Sequence, residues 1–347
     1  MTGGHGVVTP EFERDSRFSG WMQQHLGIAD ARLGDRLGGG NSNVTQRIET
    51  PRGPLVLRRP PDNAISSSAA KGVQREYRVL RALKGVARVP EVFGFCDDLS
   101  VLGQPFIVVE HVPGVSITID LPAAYRGREA LDRIGTELTD AIAEVHRLDW
   151  QALGFRAPDP DAGYLSREIR RWRQARRDAS VRELPLLEAL GTWLEANQPA
   201  QARHAVVHGD YHLDNTLFAS EEPRLRAIID WELSTVGDPV ADLALMLMFW
   251  GPRATEPPGF AFVQAVTRRE EVVSREALAH RWSTRTGIDI PGLDYYLAFA
   301  FWRLAAIVEG AYVLRCRGLV DDEYSRKLEY DVPALLEEAA QVAGLAR

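Results

Sequence analysis

The sequence predicts an α+β protein whose strands gather in the first third of the chain and whose helices fill most of the rest. Three observations carry this. Apolar runs of strand length, bounded by glycine or proline, stand at 53–59 (GPLVLRR) and 105–110 (PFIVVE). From residue 131 onward, apolar side chains recur at helical spacing, first at 131, 134, 138, 142 and 145. Between the helical stretches lies Val206 to Trp231, read as VVHGDYHLDNTLFA and then AIIDW, where two apolar segments hold His208, Asp210, Asn215 and Asp230 about a polar turn.

Residues 1–17 form a polar, glycine-rich lead-in. Phe18, Trp21, Met22 and Leu26 space a helix over Arg17–Leu26, which Gly27 closes. Leu37 to Val44 (LGGGNSNV) reads as a glycine-rich turn between strands, and 53–59 as a strand ending in two arginines before Pro60-Pro61. Val73, Tyr77, Leu80 and Leu83 mark one face of an amphipathic helix over 73–83. Residues 89–97 lead into a strand pair whose second member, 105–110, is closed by His111-Val112-Pro113-Gly114.

Leu131–His146 is a core helix, with His146 expected to pack rather than react. Leu165–Ala179 is a strongly basic helix with two readings, a solvated face or a wall of the substrate site. Leu184–Asn197 is a second helix. In the core stretch, 216–218 and 226–229 read as strands about a Glu221-Glu222-Pro223 turn. Asp238 is expected to cap the helix that Pro239 starts, and Asp242 to lie one turn later. Helices are predicted over 243–250 and near 260–269, 274–286, 293–317 and 321–344. The helix at 293–317 is apolar on much of its surface, but Arg303, Glu309 and Arg315 interrupt it, so burial is expected rather than a membrane span.

At 347 residues the chain can form two domains or one bilobal unit with a large core. A net charge of −7 argues against a general polyanion binder, so a nucleic-acid partner is not expected. Cys96 and Cys316, far apart and outside any CxxC, point to a reducing compartment. With no apolar leader and no run of 18 uninterrupted apolar residues, the expectation is a cytoplasmic protein without a membrane partner. Oligomeric state is not legible.

The chemistry is written in HGDYHLDN and the later IIDW. A carboxylate that accepts a hydroxyl proton, together with an Asn and an Asp that hold Mg²⁺ on nucleotide phosphates, is what phosphoryl transfer requires. The order and spacing resemble the catalytic loop of protein kinases, where an Asn follows the Asp by five residues and a metal-binding Asp comes later. The His-Gly-Asp form followed by His-x-Asp-Asn resembles more closely the aminoglycoside phosphotransferase family, which includes choline kinases. The later GDPVADLA fits the same pattern.

The resemblance implies a bilobal, protein-kinase-like fold. Residues 1–112 would form a small β-rich lobe and 113–347 a larger, mainly helical one, with an acceptor-binding insert at about 160–200. It implies Asp210 as catalytic base, Asn215 and Asp230 as metal ligands, Mg²⁺ as cofactor and ATP as co-substrate. Gly39, Gly40, Asn41, Ser42 and Asn43 would lie over the phosphates, and the glycine-rich turn is not a Walker A loop because no Gly-Lys-Ser/Thr follows. Arg58 takes the place of the usual lysine and Glu76 that of its ion-pair partner. Glu110 and Val112 would offer backbone groups to the adenine. His208 is expected to pack, while His212 and Asp214 order the loop or reach the metal through water.

Arg170, Arg171, Trp172 and Glu232 are candidates for acceptor contacts. Aminoglycosides are polycations, whereas this insert is rich in arginine, so a non-antibiotic, anionic acceptor is expected. The LRRPP strand and DWELSTVGDP resemble the phosphotransferase domain joined to some acyl-CoA dehydrogenases, implying hydroxyacyl thioesters as an acceptor class. Two other readings stay open: a nucleotide-binding module without catalysis, suggested by Arg58, and a true aminoglycoside phosphotransferase. A protein kinase is disfavoured because no Ala-Pro-Glu segment follows Asp230.

Overall fold

The computed structural model describes residues 11–38, 43–61, 67–156, 163–200, 203–253, 260, 263–269 and 271–345. The chain divides into two compact units, Met1–Pro113 with Ile229–Ser234, and Gly114–Ile228 with Thr235–Arg347.

The first unit runs α1 (Glu11–Leu26), β1 (Arg32–Arg36), β2 (Val44–Glu49), β3 (Leu55–Arg59), α2 (Ser67–Leu83), β4 (Val92–Cys96), a short α3 (Leu99–Leu102) and β5 (Phe106–Glu110). Its sheet has the order β1-β2-β3-β5-β4 with every pair antiparallel. The central strands β3 and β5 are buried almost throughout, which is why they read as continuous apolar runs. Phe18, Trp21 and Met22 of α1 share one helical face and pack on the sheet with Ile48, Leu57 and Phe106. The Trp21 ring meets Phe106 edge-on with centroids 4.9 Å apart.

The second unit carries α4 (Gly127–His146), α5 (Tyr164–Asp178), α6 (Pro185–Ala196), β6 (Ala205–Val207), β7 (Thr216–Phe218), β8 (Leu225–Ile228), β9 (Thr235–Gly237), α7 (Pro239–Met248), α8 (Arg275–Thr286), α9 (Leu293–Cys316) and α10 (Glu323–Val342). β7 and β8 form the expected hairpin about Glu221-Glu222-Pro223, with Thr216 opposite Ile228. β6 does not join them. It pairs antiparallel with β9, a three-residue strand that sequence reasoning did not foresee, Val207 facing Thr235. The helix expected near 260–269 is also absent from the described residues, which hold only a 3₁₀ turn at Ala265–Thr267. Phe260 and Gln264 there adopt left-handed φ values of 57° and 50°, which an α-helix does not accommodate.

By length and composition α9 could cross a membrane, yet 67% of its most apolar window is buried. Two of its three charged interruptions are partnered, Arg303 with Glu168 and Glu309 with Arg182. Gly135 lets α4 approach Trp250 closely, since a Cβ there would stand 2.6 Å from the indole, itself fixed by Nε1 donating to the Val273 carbonyl. Alanine in a helix interior gains about 1 kcal/mol over glycine, whereas overpacking costs about 1–3 kcal/mol. Gly135→Ala is therefore expected to lower the denaturant midpoint despite its better helix propensity.

Candidate functional site

In the first unit, β3 and α2 bring Arg58 and Glu76 together. Arg58 Nε donates to the Glu76 carboxylate at 3.1 Å, and Nη2 donates to Asp230 Oδ1 at 2.6 Å. The Arg58 and Glu76 side chains are 9% and 2% exposed, so Glu76 is not a solvated helix charge. Burial alone would lower the Arg58 pKa, but Glu76, Asp230 and Glu232 together hold it above the ordinary value. Burial pushes the Glu76 carboxyl up while Arg58 opposes it. The guanidinium thus joins the ion-pair glutamate and the Asp of IIDW in one fork, a two-pronged contact that a lysine ammonium makes only as a point charge.

Asp230 has φ 68°, a left-handed conformation that costs a non-glycine residue energy. Glu232 accepts from Asn43 Nδ2 at 2.9 Å, and its backbone carbonyl accepts from Arg75 Nη1. These contacts explain why Ile229–Ser234 counts with the first unit, although a division at 112/113 would have left the segment in the second. Glu232 thus belongs to the first unit, and Arg170, Arg171 and Trp172 to the second. Gly39, Gly40, Asn41 and Ser42 lie outside the described residues. Glu110 N–H already donates to the Glu91 carbonyl at 2.7 Å, so of the two hinge candidates Glu110 has one backbone group fewer to offer.

In the second unit, β6 delivers the chain to His208-Gly209-Asp210. The backbone N–H groups of His208 and Gly209 donate to Asp242 at 2.5 and 2.8 Å. His146, fully buried, accepts from Trp282 Nε1 through Nδ1, so its proton is on Nε2, 3.4 Å from the same carboxylate. His146 and His208 pack. Asp238 caps α7 through Val240 N and accepts from Tyr296 OH at 2.8 Å. Asp242→Asn removes the charge from an acceptor of two buried N–H groups. A loss of about 1.5–3 kcal/mol is expected, as for hydrogen bonds to charged groups, read from the thermal midpoint.

Asp210 follows Gly209, whose φ of 86° favours glycine and whose carbonyl accepts from both Nη atoms of Arg303 at 3.0 Å. Arg303 Nε in turn donates to Glu168 on α5, which also accepts from Trp172 Nε1. Asn215 Nδ2 donates to the Asp210 backbone carbonyl at 2.9 Å and to its Oδ2 at 3.1 Å. His212 Nε2 is 3.5 Å from Oδ2, and the Asp210 side chain is 40% exposed. Burial would raise its pKa, but the electrostatic attraction and hydrogen bond of the His212 Nε2–H, then His208 and Arg303, hold it down at about 2. The carboxylate is ionised at neutral pH and open to a ligand.

Gln264 completes the loop. Leu213 N–H can only donate, so Gln264 Oε1 accepts it at 3.3 Å, and Gln264 Nε2 then faces His212 Nδ1 at 3.0 Å. This leaves the His212 proton on Nε2, toward Asp210. Neither Gln264 nor Arg303 was singled out from sequence as a site residue. Arg303 had a signal, a cation inside an apolar helix, whereas Gln264, in a loop without periodicity, had none.

Of the α5 candidates, Arg170 and Arg171 are exposed, and Arg171 lies over the Trp172 ring at 4.8 Å. Other arginines of α5 are tied to α6, Arg173 to Glu188 and Glu195, and Arg177 to Glu188. For Mg²⁺ the donor chemistry fits. Asn215 commits its amide nitrogen to Asp210, leaving Oδ1, and Asp230 commits Oδ1 to Arg58, leaving Oδ2. Among the described residues no three His, Cys, Asp or Glu side chains cluster as a metal cage.

A family model described as the phosphotransferase enzyme family matches residues 34–276. Acyl-CoA dehydrogenase family member 10 of Mus musculus is 32% identical over 276 residues, 79% of this chain and 26% of that protein. Family member 11 of Gallus gallus is 31% identical over 330 residues, 93% of this chain and 42% of that protein. The chain thus spans less than half the length of these relatives. A solved structure from Ralstonia eutropha, assigned as an aminoglycoside phosphotransferase, superimposes with a TM-score of 0.77 at 28% identity, covering 96% of this chain and 98% of that one.

Proposed function

Because this chain belongs to the phosphotransferase enzyme family, with the bilobal kinase-like fold of its structural relatives, we propose that it transfers the γ-phosphoryl group of ATP to a hydroxyl of a small acceptor. The observation that carries this reading is the Asp210 carboxylate, ionised, partly exposed and aligned by Asn215. Asp210 orients the acceptor hydroxyl and takes its proton late in the transfer. Asn215 and Asp230 would hold Mg²⁺, which supplies charge neutralisation on the phosphates. Arg58 holds Asp230 and Glu76 in register, the task of the family's lysine in another form, and this supports catalysis over nucleotide binding alone.

The acceptor we propose is a hydroxylated anionic metabolite, of hydroxyacyl thioester class. Similarity to acyl-CoA dehydrogenase family members supports it, as do the exposed Arg170 and Arg171 on α5. A site built for a polycationic antibiotic is lined by carboxylates instead. We place the protein in the cytoplasm.

Titration of ATP and GTP with Mg²⁺ against the melting temperature tests the nucleotide half of the proposal. A ligand at about 100 times its Kd stabilises the folded state by roughly 2.7 kcal/mol. Wild type should melt higher with Mg-ATP, and Asp230→Ala should lose most of that shift. If millimolar nucleotide leaves wild type unmoved, the proposal fails.

A further inference from the structure

The backbone of His208-Gly209-Asp210 is held from two sides. On one side, Asp242 of α7 accepts the N–H groups of His208 and Gly209. On the other, both Nη atoms of Arg303 on α9 donate to the Gly209 carbonyl at 3.0 Å. The Asp210 N–H donates to His208 Nδ1 at 3.2 Å. The peptide unit that leads into Asp210 is thus fixed at both ends, its oxygen by Arg303 and its N–H by His208.

This unit is the one place where the turn has freedom to move. Gly209, at φ 86°, has no Cβ to restrain the torsion that rotates the peptide after it. Such a rotation pivots just ahead of the Asp210 Cα and swings the carboxylate away. Asn215 does not prevent it, because Asn215 ends the 3₁₀ turn Leu213–Asn215 of the same loop and moves with it. Arg303 comes instead from a long helix, 94 residues further along the chain. Its own aim is set by Glu168 of α5, which accepts from Nε at 3.2 Å, the two side chains being 11% and 14% exposed. Glu168 also accepts from Trp172 Nε1. A planar guanidinium serves a carbonyl and a carboxylate from separate N–H groups in one rigid piece, which an ammonium does not.

We propose that Arg303 is a positioning residue for phosphoryl transfer. By gripping the Gly209 carbonyl it locks the peptide unit ahead of Asp210 and keeps the carboxylate in line for the acceptor hydroxyl, while Glu168 aims the guanidinium. The inference rests on the reading of Asp210 as the base. A misplacement of about 1 Å in a reacting group can cost about 10²-fold in rate. Arg303 therefore acts on turnover through the backbone, without touching substrate.

The test sets Arg303→Met and the double variant Arg303→Met, Glu168→Gln against wild type, each as the full chain and assayed well below its melting temperature. The double variant removes both charges and keeps an amide oxygen for Trp172, so it should melt higher than Arg303→Met. Transfer from Mg-ATP to a hydroxyacyl-CoA should fall by about 10–10²-fold in kcat in both variants, with KM for ATP held within about threefold. Backbone ¹⁵N relaxation needs no substrate. The Asp210 N–H, rigid in wild type at an order parameter of about 0.85, should drop below about 0.6 or show microsecond-to-millisecond exchange in both variants. If Arg303→Met does not fold, Arg303→Lys takes its place, with a kcat loss of about tenfold expected because one ammonium does not hold Gly209 and Glu168 together. The inference is overturned if kcat of the double variant returns to the wild-type value along with its melting temperature, or if the Asp210 N–H stays as rigid as in wild type. A wild type that transfers no phosphoryl group refutes the proposed function instead, and the hold of Arg303 on the turn is then decided by relaxation alone.

Discussion

Asp210→Asn should lower kcat by about 10²–10⁴-fold, the usual contribution of a general base, while leaving the thermal shift from Mg-nucleotide in place. The substitution keeps shape and volume and removes only the charge that takes the proton. Asn215 and His212 would still surround the position, since their partners Gln264 and the Asp210 backbone carbonyl are untouched. The measurement is steady-state phosphoryl transfer beside nucleotide titration on the same preparation. Equal loss of turnover and of nucleotide binding would instead assign Asp210 a structural role. Because Asp210 is held at about 2, its ionisation should not limit activity at any pH where the protein is used. A carboxylate with a lowered folded pKa stabilises the fold above its unfolded pKa, and that contribution is lost only as pH falls toward 2.

Arg58→Ala should destabilise the protein by about 3–5 kcal/mol, the cost of leaving one partner of a buried ion pair alone. Glu76 is 2% exposed, too buried to be solvated in place. Asp230, at 24% exposure, loses its partner too but can be solvated. The double variant Arg58→Met, Glu76→Leu should recover much of the loss, because replacing both charges removes the uncompensated one. Chemical denaturation of the three variants measures this. Arg58→Lys should keep the charge and restore the residue the resemblance implies, at the expense of the second contact to Asp230. If Arg58→Ala costs less than about 1 kcal/mol, the fork is a surface-like pair and its structural role is refuted.

The residues proposed to carry the chemistry could be picked out because their spacing is local. Asp210, Asn215 and the Asp238 cap with Pro239 lie within short windows, where one turn or one helix start dictates which residue types fit. Arg58 and Glu76 were legible only through resemblance, since their pairing joins a strand to a helix across 18 residues.

What the sequence hid is long-range. β6 and β9 are three residues each, too short for any period, and they find each other across an intervening hairpin. Ile229–Ser234 reads as a continuation of β8, yet Arg58, Asn43 and Arg75 bind it to the first unit. The stretch near 260–269 has apolar residues at helical spacing, but the left-handed Gln264 breaks the helix and turns its amide to His212. That local strain sits at the site, where such conformations concentrate. The basic stripe on α5 was visible, but Glu188 and Glu195 neutralise much of it from α6, a pairing that charge counting along α5 alone does not reveal.

The most direct measurement is ³¹P NMR of the chain incubated with Mg-ATP and a panel of hydroxyl acceptors, with hydroxyacyl-CoAs set against kanamycin. The result expected is a new phosphomonoester resonance from a hydroxyacyl-CoA, absent with Asp210→Asn and much weaker with kanamycin. Nucleotide binding without a phosphomonoester from any acceptor would contradict the phosphotransferase account, and a kanamycin product equal to the hydroxyacyl product would contradict the proposed acceptor.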